Sequence, residues 1–439
     1  MRISSLRRGF IYGLVTALAA VACAPGASNN TTSTSAKGGT VTVLGVWSGS
    51  ELDSFNAVLA PFEASTGTKV VFEASRDQDA ILTTRVAAGD PPDLAAAPSP
   101  ALLTRFAQQG KVVPLDDKID LTKLKAEYDK SWLDLGTVNG KLVQVFSWAA
   151  LKGLVWYDPK VFSAKGYTVP KTWVDLIALQ TKMKADGTSP WCMGVESGAA
   201  SGWSGSDFHK EIVLSQAGPT VYDSWWQGKQ KWTSPEIKQS WTTFGTILGS
   251  GDSNVYGGRN VILSTNFGDA GTPLFATPPK CNMLNQASFI TDFFVKAVPG
   301  LKAGTDFNFF PLPDASTTFT GAHVVSGDAW SMFKDTPQSR ALLNYLLTPE
   351  AQTIWVKRGG KISPNKKTNV ADYPDDLSRL TASTLVNTKI AKYDAGDLMP
   401  SDMKNAYWQA ILDFVSDQSK LDSILANLDK IQATAYTAS

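Results

Sequence analysis

The stretch TVTVLGVWSGSELDSFNAVLAPFEASTGTKVVFEASRDQDAILTTRVAAGDPPDLAAA, residues 40–97, alternates short apolar runs with segments of helical spacing. The runs at 40–47, 69–74 and 93–97 are apolar and partly β-branched, which is typical of buried strands. The segments between them repeat apolar side chains at the spacing of amphipathic helices. Strands alternating with helices predict an α/β fold with a parallel sheet and right-handed crossovers.

Ligands of such sheets bind in the loops that follow the carboxyl ends of the strands. In this chain the rule selects residues 47–51, 76–77 and 97–99. Ser50 is also a predicted helix N-cap, because its hydroxyl could accept a hydrogen bond from the first helical turn. The predicted ligand contacts in these loops are Trp47, Ser50, Glu51 and Asp77.

The composition excludes several classes of function. The chain has 439 residues with 41 basic and 40 acidic side chains, so no strong field attracts nucleic acid. His209 and His323 are the two histidines, which leaves a His-rich metal site or a Ser–His–Asp triad unsupported. No GxSxG, GxxxxGK[ST] or GxGxxG motif is present. We therefore predict a protein that is not an enzyme and needs no metal or cofactor.

The N-terminus is predicted to be a targeting segment. Basic residues within the first eight positions precede an apolar run at 10–22 that is too short to span a bilayer. The run ends in Ala20-Val21-Ala22-Cys23, which resembles a bacterial lipoprotein processing box. Residues 1–22 would then be a lipoprotein signal peptide, Cys23 the lipidated residue and 23–39 a flexible tether. The alternative is an ordinary signal peptide in which Cys23 has no role.

A tryptophan-rich stretch at 191–232 holds the first candidate for a ligand surface. Small residues surround Trp203 in SGAASGWSGSDF and would let a ligand approach the backbone. These neighbours predict an irregular segment, with the Trp203 ring as a flat apolar face and Asp207 as an acceptor for hydroxyl groups. The other tryptophans of the stretch are better explained as core residues. The pattern favours a sugar site.

Cys192 and Cys281 are the two cysteines of the predicted mature chain. In an exported protein such a pair most simply forms a disulfide. It would close a loop that contains the tryptophan-rich stretch. Two free, buried thiols are the alternative.

Several phrases carry a family resemblance through their order along the chain. They are VTVLGVWSGSELDSFNAVLAPFEASTGTKVVFE, RVAAGDPPDLA, LKGLVWYDPKVF, VPKTWVDL and LLNYLLTPEAQTIWVKRGGKISPNKK. Together they resemble the extracellular solute-binding proteins of carbohydrate ABC importers, a group that contains the maltose-binding protein. PWCMGVESGAASGW, GDAGTPLF and DAGDLMP resemble its α-glucoside-binding branch. The resemblance spans residues 40–408.

The resemblance implies a two-lobed periplasmic-binding-protein fold with three crossings between the lobes and a ligand cleft between them. The expected N-terminal lobe comprises residues 40–150 and 326–360. The expected C-terminal lobe comprises residues 151–325 and 361–439.

Further ligand contacts follow from the resemblance. Each is placed on a crossing, or on a loop that faces the cleft in this family. These contacts are Lys152, Phe267, Asp269, Gly327, Asp328, Asp397 and Trp408.

The implied function is that of a lipid-anchored receptor on the outer face of the membrane. It would bind a neutral α-glucoside, of the maltose, trehalose or sucrose type, and deliver it to a membrane permease. We expect a monomer that does not bind nucleic acid. One alternative is an exported glycoside hydrolase, which needs a pair of carboxylates; Asp207, Asp269 and Asp328 could supply such a pair. The other alternative is a receptor for a polyol or another non-sugar solute.

Overall fold

The three strands predicted in the opening stretch lie side by side in the computed structural model, which describes residues 38–437. β1 (Thr40–Gly45) pairs in parallel with β2 (Lys69–Ala74) and with β3 (Leu94–Ala97). Helices α1 (Ser50–Thr66) and α2 (Gln78–Ala87) form the two crossovers. The predicted parallel α/β arrangement is confirmed.

The remaining elements continue in chain order. The strands are β4 (Thr137–Val138), β5 (Lys141–Leu142), β6 (Val145–Leu151), β7 (Leu154–Tyr157), β8 (Ser189–Cys192), β9 (Cys281–Gln286), β10 (Asn308–Pro311), β11 (Ala322–Met332) and β12 (Ile390–Tyr393). The helices are α3 (Pro100–Gln108), α4 (Leu121–Glu127), α5 (Lys130–Leu135), α6 (Pro159–Lys165), α7 (Trp173–Ala185), α8 (Trp203–Trp226), α9 (Pro235–Leu248), α10 (Gly258–Ser264), α11 (Ile290–Ala297), α12 (Pro337–Leu346), α13 (Pro349–Val356), α14 (Asp376–Asn387), α15 (Ala395–Leu398), α16 (Ser401–Ser416) and α17 (Leu421–Ala435).

Two larger sheets organise these elements. The first is six-stranded, in the order β12-β11-β3-β1-β2 with β6 paired to β11. The second is four-stranded, in the order β10-β7-β9-β8. Helices cover both sheets, and aromatic and aliphatic side chains fill the layers between them.

The chain passes from the first sheet to the second and back, and a third segment lies beside the first passage. Lys152 and Gly153 join β6 of the first sheet to β7 of the second. β11 brings the chain back, pairing with β12 at its start and with β3 at its end. Ile362 then exchanges two backbone hydrogen bonds with Ala149 of β6, at 2.7 and 3.1 Å. The crossings therefore lie side by side, as expected for a two-lobed binding fold.

The lobe boundaries given above remain predictions, but two features bear on them. β12, assigned by its residue number to the C-terminal lobe, pairs with β11 in the six-stranded sheet. Gly38 and Gly39, assigned to the tether, already bond to the fold, because Gly38 donates to Thr66 and Gly39 accepts from Lys69. The rest of the signal peptide and tether, with Cys23, lies outside the described residues.

Side-chain caps mark the starts of several helices. Thr172 forms a capping box with Asp175 at the start of α7, and Thr348 caps α13. The prediction for Ser50 was wrong: Gly49 is the N-cap of α1, with a φ of 57°, and Ser50 is the first helical residue. A left-handed φ favours glycine at that turn.

A disulfide joins Cys192 to Cys281. The two residues lie at the end of β8 and the start of β9, which are parallel neighbours in the four-stranded sheet. Their Cα atoms are 5.3 Å apart, a usual spacing for a disulfide. The predicted pairing is therefore present, and the alternative of two free thiols does not hold in this structure.

Candidate binding site

A cavity of about 390 Å³ lies where the crossings meet the loops that follow β1, β2 and β3. This volume is within the usual range for small-molecule sites. The position agrees with the rule that ligands bind beyond the carboxyl ends of parallel strands.

Most of the predicted ligand contacts come together in the wall of this cavity. They are Trp47, Glu51, Asp77, Lys152, Trp203, Asp207, Gly327, Asp328, Asp397 and Trp408. Their contact with a ligand remains a prediction.

Three of the predicted contacts do not line the cavity. Phe267 is buried behind Trp203, with the two ring centroids 4.9 Å apart, so it supports that indole. The hydroxyl of Ser50 is buried without a hydrogen-bond partner. Asp269 is exposed in a turn, where its backbone bonds to Asn266 and Thr272. The structure therefore does not bring Asp269 to the cavity.

The local conformation predicted around Trp203 was wrong. Trp203 is the first residue of α8, preceded by Gly202 with a φ of 101°. The small residues that follow it form the first helical turn instead of an irregular segment. An added Cβ at Gly205 would lie 2.6 Å from Ile411, so glycine allows α8 and α16 to pack closely. Small side chains here serve helix packing, and they also position the half-buried Trp203 ring at the cavity.

The three tryptophans of the wall differ in what they can offer. Trp47 is 1% exposed and packs edge-on against Trp148 and Trp355, at centroid distances of 5.7 and 5.1 Å. Trp203 and Trp408 are only partly buried. These last two therefore carry the ring faces on which a ligand could stack.

A buried cluster of two lysines and two aspartates lies beside Trp203. Lys152 Nζ is 2.5 Å from Asp207 Oδ2, and Lys210 Nζ is 2.8 Å from Asp207 Oδ1. Lys210 also donates to both carboxylate oxygens of Asp394, at 2.5 and 2.6 Å. Burial alone would raise the pKa of Asp394, but the ammonium groups of Lys210 and Lys152 hold it well below its usual value. Asp207 is thus ion-paired on both oxygens, and is not the free acceptor that the sequence suggested.

A second set of charges surrounds Trp47. Arg76 donates to Glu51 at 2.9 Å, and Lys361 is 3.0 Å from Asp328 and 3.6 Å from Glu51. The Lys361 ammonium also lies 5.6 Å from the Trp47 ring centroid. Burial raises the pKa of Asp328, and Lys361 opposes that rise. The predicted acceptors Glu51 and Asp328 therefore face the cavity as members of ion pairs.

A third set joins α16 to the loops near β2 and β3. Lys404 Nζ lies 2.6 Å from Asp79 and 2.6 Å from the hydroxyl of Ser99. Ser99 also donates to Asp397 at 3.2 Å. Burial, and next the charge of Asp394, raise the pKa of Asp397 to about 7. The ammonium of Lys404 also covers the Trp408 ring, 4.9 Å from its centroid.

Several cavity residues were not among the sequence candidates. They are Asp79, Lys210, Phe289, Lys361, Asp394, Lys404, Asn405 and Gln409, whereas Arg76 and Ser99 lie in loops that the strand-end rule had selected. Part of this set could have been found, because Lys404 lies four residues before Trp408 on one helix and therefore on the same face. Among residues 38–437, no group of three or more His, Cys, Asp or Glu side chains could hold a metal ion.

The fold is that of a two-lobed solute-binding protein. The sequence profile of the family described as Bacterial extracellular solute-binding protein matches residues 48–353. The chain belongs to this family, whose members serve ABC importers as binding proteins and are not enzymes. The resemblance found in the sequence is thereby confirmed.

Two curated relatives match along most of the chain. The osmoprotective compounds-binding protein GgtB of Synechocystis sp. is 36% identical over 376 residues, which are 85% of this chain and 88% of GgtB. The alpha-glucosides-binding periplasmic protein AglE of Rhizobium meliloti is 34% identical over 395 residues, 88% of this chain and 85% of AglE.

Solved structures support the fold. The bacterial solute receptor AcbH, described as preferring b-D-galactopyranose, aligns with a TM-score of 0.79 at 19% identity, over 91% of this chain and 99% of AcbH. A chitin oligosaccharide binding protein aligns with a TM-score of 0.78, also at 19% identity, over 91% of this chain and 99% of that protein.

The family is extracellular, so the predicted export of the chain is supported. Within residues 38–437, the helices are too short or too polar to cross a bilayer.

Proposed function

We propose that the chain is the receptor of a carbohydrate importer and binds a neutral α-linked glucoside of about disaccharide size between its lobes. One observation carries this proposal. The ring faces of Trp203 and Trp408 flank a cavity of about 390 Å³ in which most charged groups are paired with one another. Indole faces suit the C–H faces of sugar rings, and the polar groups between them suit hydroxyls.

The pairing of the charges favours an uncharged ligand. An ionic solute would have to compete with Lys152–Asp207, Lys361–Asp328 or Lys404–Asp79, each with N–O distances of 2.5 to 3.0 Å. A sugar hydroxyl can instead add a hydrogen bond to a carboxylate or an ammonium that keeps its partner. The carboxylates of the cavity would thus accept sugar hydroxyls as members of ion pairs, and not as the free acceptors expected from the sequence.

The relatives support the ligand class and add a second candidate. AglE is named for alpha-glucosides, and GgtB is named for osmoprotective compounds. A small osmoprotective compound, for example a polyol, is therefore the second candidate. An exported glycoside hydrolase is no longer a candidate, because the family consists of binding proteins.

Isothermal titration with maltose, trehalose, sucrose, sorbitol and the zwitterion glycine betaine tests the proposal. We expect micromolar or tighter binding of at least one disaccharide and no binding of glycine betaine. Tighter binding of sorbitol than of any disaccharide would favour the polyol candidate. Binding of glycine betaine alone would contradict the proposal.

Delivery to a permease and the lipid anchor at Cys23 belong to the same proposal. Replacing Cys23 with Ser should release the protein from cell membranes into the soluble exported fraction. If the C23S variant stays with the membranes in the parent's amount, the anchor lies elsewhere. A Ser28→Ala variant in the tether is the matched control and should stay membrane-bound.

A further inference from the structure

Lys404 makes direct polar bonds across the cleft, although it was not among the sequence candidates. Its side chain is 3% exposed and its ammonium lies 2.6 Å from Asp79 and 2.6 Å from Ser99. Ser401, one turn earlier on α16, also donates to Asp79 at 3.3 Å. A lysine buried this deeply needs such partners to offset the loss of water.

The partners of Lys404 belong to opposite sides of the cleft. Asp79 lies on α2 and Ser99 immediately before α3, two elements that follow strands of the parallel β1-β2-β3 arrangement. Lys404 lies on α16, whose Tyr407 and Ile411 pack in the core of the other lobe with α8 and α9. The bonds of Lys404 therefore exist only while the two lobes are closed on each other.

The same ammonium covers the ring of Trp408. Lys404 and Trp408 are four residues apart on α16 and share one face of the helix, with Nζ 4.9 Å from the ring centroid. This contact is a cation–π interaction, which favours one position of the indole. Because Lys404 is fixed at its far end by Asp79 and Ser99, the ring orientation is tied to the closed arrangement.

We propose that Lys404 is a positioning residue that couples lobe closure to the orientation of Trp408. In the ligand-free protein it holds a closed population through Asp79 and Ser99, and in that population the Trp408 ring is already placed for a sugar. The proposal deepens the proposed function and rests on it only where sugar affinity is concerned. Its core statement concerns the protein without ligand.

The affinity follows from the closed fraction. When only a fraction of the protein is competent to bind, the apparent dissociation constant rises as the inverse of that fraction. A variant whose closed fraction falls to one tenth should therefore bind its sugar about tenfold more weakly. The saturated complex should still close, because the ligand itself contacts both lobes.

Small-angle X-ray scattering of the ligand-free mature protein tests the proposal. Lys404→Met and Asp79→Asn should each increase the radius of gyration, and the double variant should add little to either single change. Lys404→Arg should restore part of the closed population, since a guanidinium can also reach the carboxylate. Circular dichroism confirms that each variant is folded.

The matched control is Lys182→Met. Lys182 also lies over an aromatic ring, 5.0 Å from the Tyr167 centroid, and pairs with Asp186 at 2.8 Å, but it lies outside the cavity. Its loss should leave the radius of gyration unchanged.

The outcomes separate this proposal from the proposed function. If the ligand-free radius of gyration of folded Lys404→Met and Asp79→Asn equals that of the parent, the coupling role is overturned, whatever sugar binds. Additive effects of the two substitutions would overturn it as well. If the radius of gyration increases in Lys404→Met and Asp79→Asn but not in Lys182→Met, and Lys404→Arg partly reverses the increase, the coupling role is supported. This holds even if no α-glucoside binds and the proposed ligand class is wrong.

Discussion

Two sites in the cavity wall combine an indole, an ammonium and a carboxylate, yet they differ in how they are built. At the first, Lys152 lies 5.1 Å from the Trp203 centroid and pairs with Asp207. At the second, Lys404 lies 4.9 Å from the Trp408 centroid and pairs with Asp79. The first is supported by Lys210 of α8 and by Asp394, which follows β12, whereas the second joins α16 to α2 across the cleft.

The difference shows that the same three groups can serve two purposes. At the Trp203 site two buried ammonium groups are shared between two buried carboxylates, so we expect this site to persist when the lobes separate. The Trp408 site loses its carboxylate on opening, and Asp79, with 21% of its side chain exposed, can then be hydrated. Breaking the Trp203 site should therefore lower the free energy of unfolding, whereas breaking the Trp408 site should change the equilibrium between open and closed lobes.

The largest effect is expected for Lys210→Met, which removes the ammonium that holds Asp207 and Asp394. Two buried carboxylates would be left with Lys152 alone, and breaking such a cluster costs about 3–5 kcal/mol. Urea denaturation measures the change in the free energy of unfolding. Lys182→Met is the surface control and should unfold like the parent. If Lys210→Met lowers the free energy of unfolding by less than about 1 kcal/mol, the cluster around Asp207 does not stabilise the fold.

Next in size are the losses of sugar affinity for Trp203→Ala and Trp408→Ala. Removing a stacked ring costs about 2 kcal/mol or more, which is about thirtyfold in affinity. Titration with the best disaccharide measures the effect. Trp226, half-buried and outside the cavity wall, is the control, and its substitution should leave affinity unchanged. Parent-like binding by both folded cavity variants would mean that the ligand binds elsewhere.

Asp397, between the two sites, should give stability a pH dependence. Its pKa rises to about 7 in the folded protein because of burial and the charge of Asp394, while Lys404, Lys210 and Lys152 oppose the rise. Between its usual value near 4 and about 7, the folded chain keeps a proton that the unfolded chain has released.

The contribution of Asp397 to stability should therefore fall as pH rises through this window, by at most about 1.4 kcal/mol per unit. Asp397→Asn cannot titrate, so its urea midpoint should fall less than that of the parent between pH 5 and pH 7.5. Parallel curves for parent and variant would exclude the shifted titration.

The smallest change in stability is expected for Lys404→Met. Its carboxylate partner is partly exposed and can be hydrated, so the free energy of unfolding should fall by only about 1 kcal/mol. A loss as large as that of Lys210→Met would remove the distinction between the two sites. Denaturation of both variants in the same buffer makes the comparison direct.

The sequence predicted those parts of the fold that depend on local pattern. The three parallel strands follow from periodicity, and the Cys192–Cys281 pair follows from the predicted export of the chain. The family resemblance supplied the expected crossings and five residues of the cavity wall, namely Lys152, Gly327, Asp328, Asp397 and Trp408.

The pairing of charges could not be predicted, because it depends on distant segments. Asp207 and Asp394 are 187 positions apart and share Lys210, and Lys404 reaches Asp79 across 325 positions. Local composition also gave a wrong prediction at Trp203. The small residues there predicted an irregular segment, but they allow α8 to pack against α16. For Asp269 the resemblance placed the loop near the cleft, but it did not determine the direction of the side chain.

The position of β11 has a consequence for the order in which the chain folds. Its residues 325–330 pair with β6, and residues 329–332 pair with β3, so β6 is joined to β3 by a segment more than 170 positions after β6. Contacts of such long sequence separation form slowly. Residues 40–151 cannot complete their sheet until the chain has been made past residue 332. We therefore expect a nascent chain that stays unfolded long enough to be threaded through the export machinery.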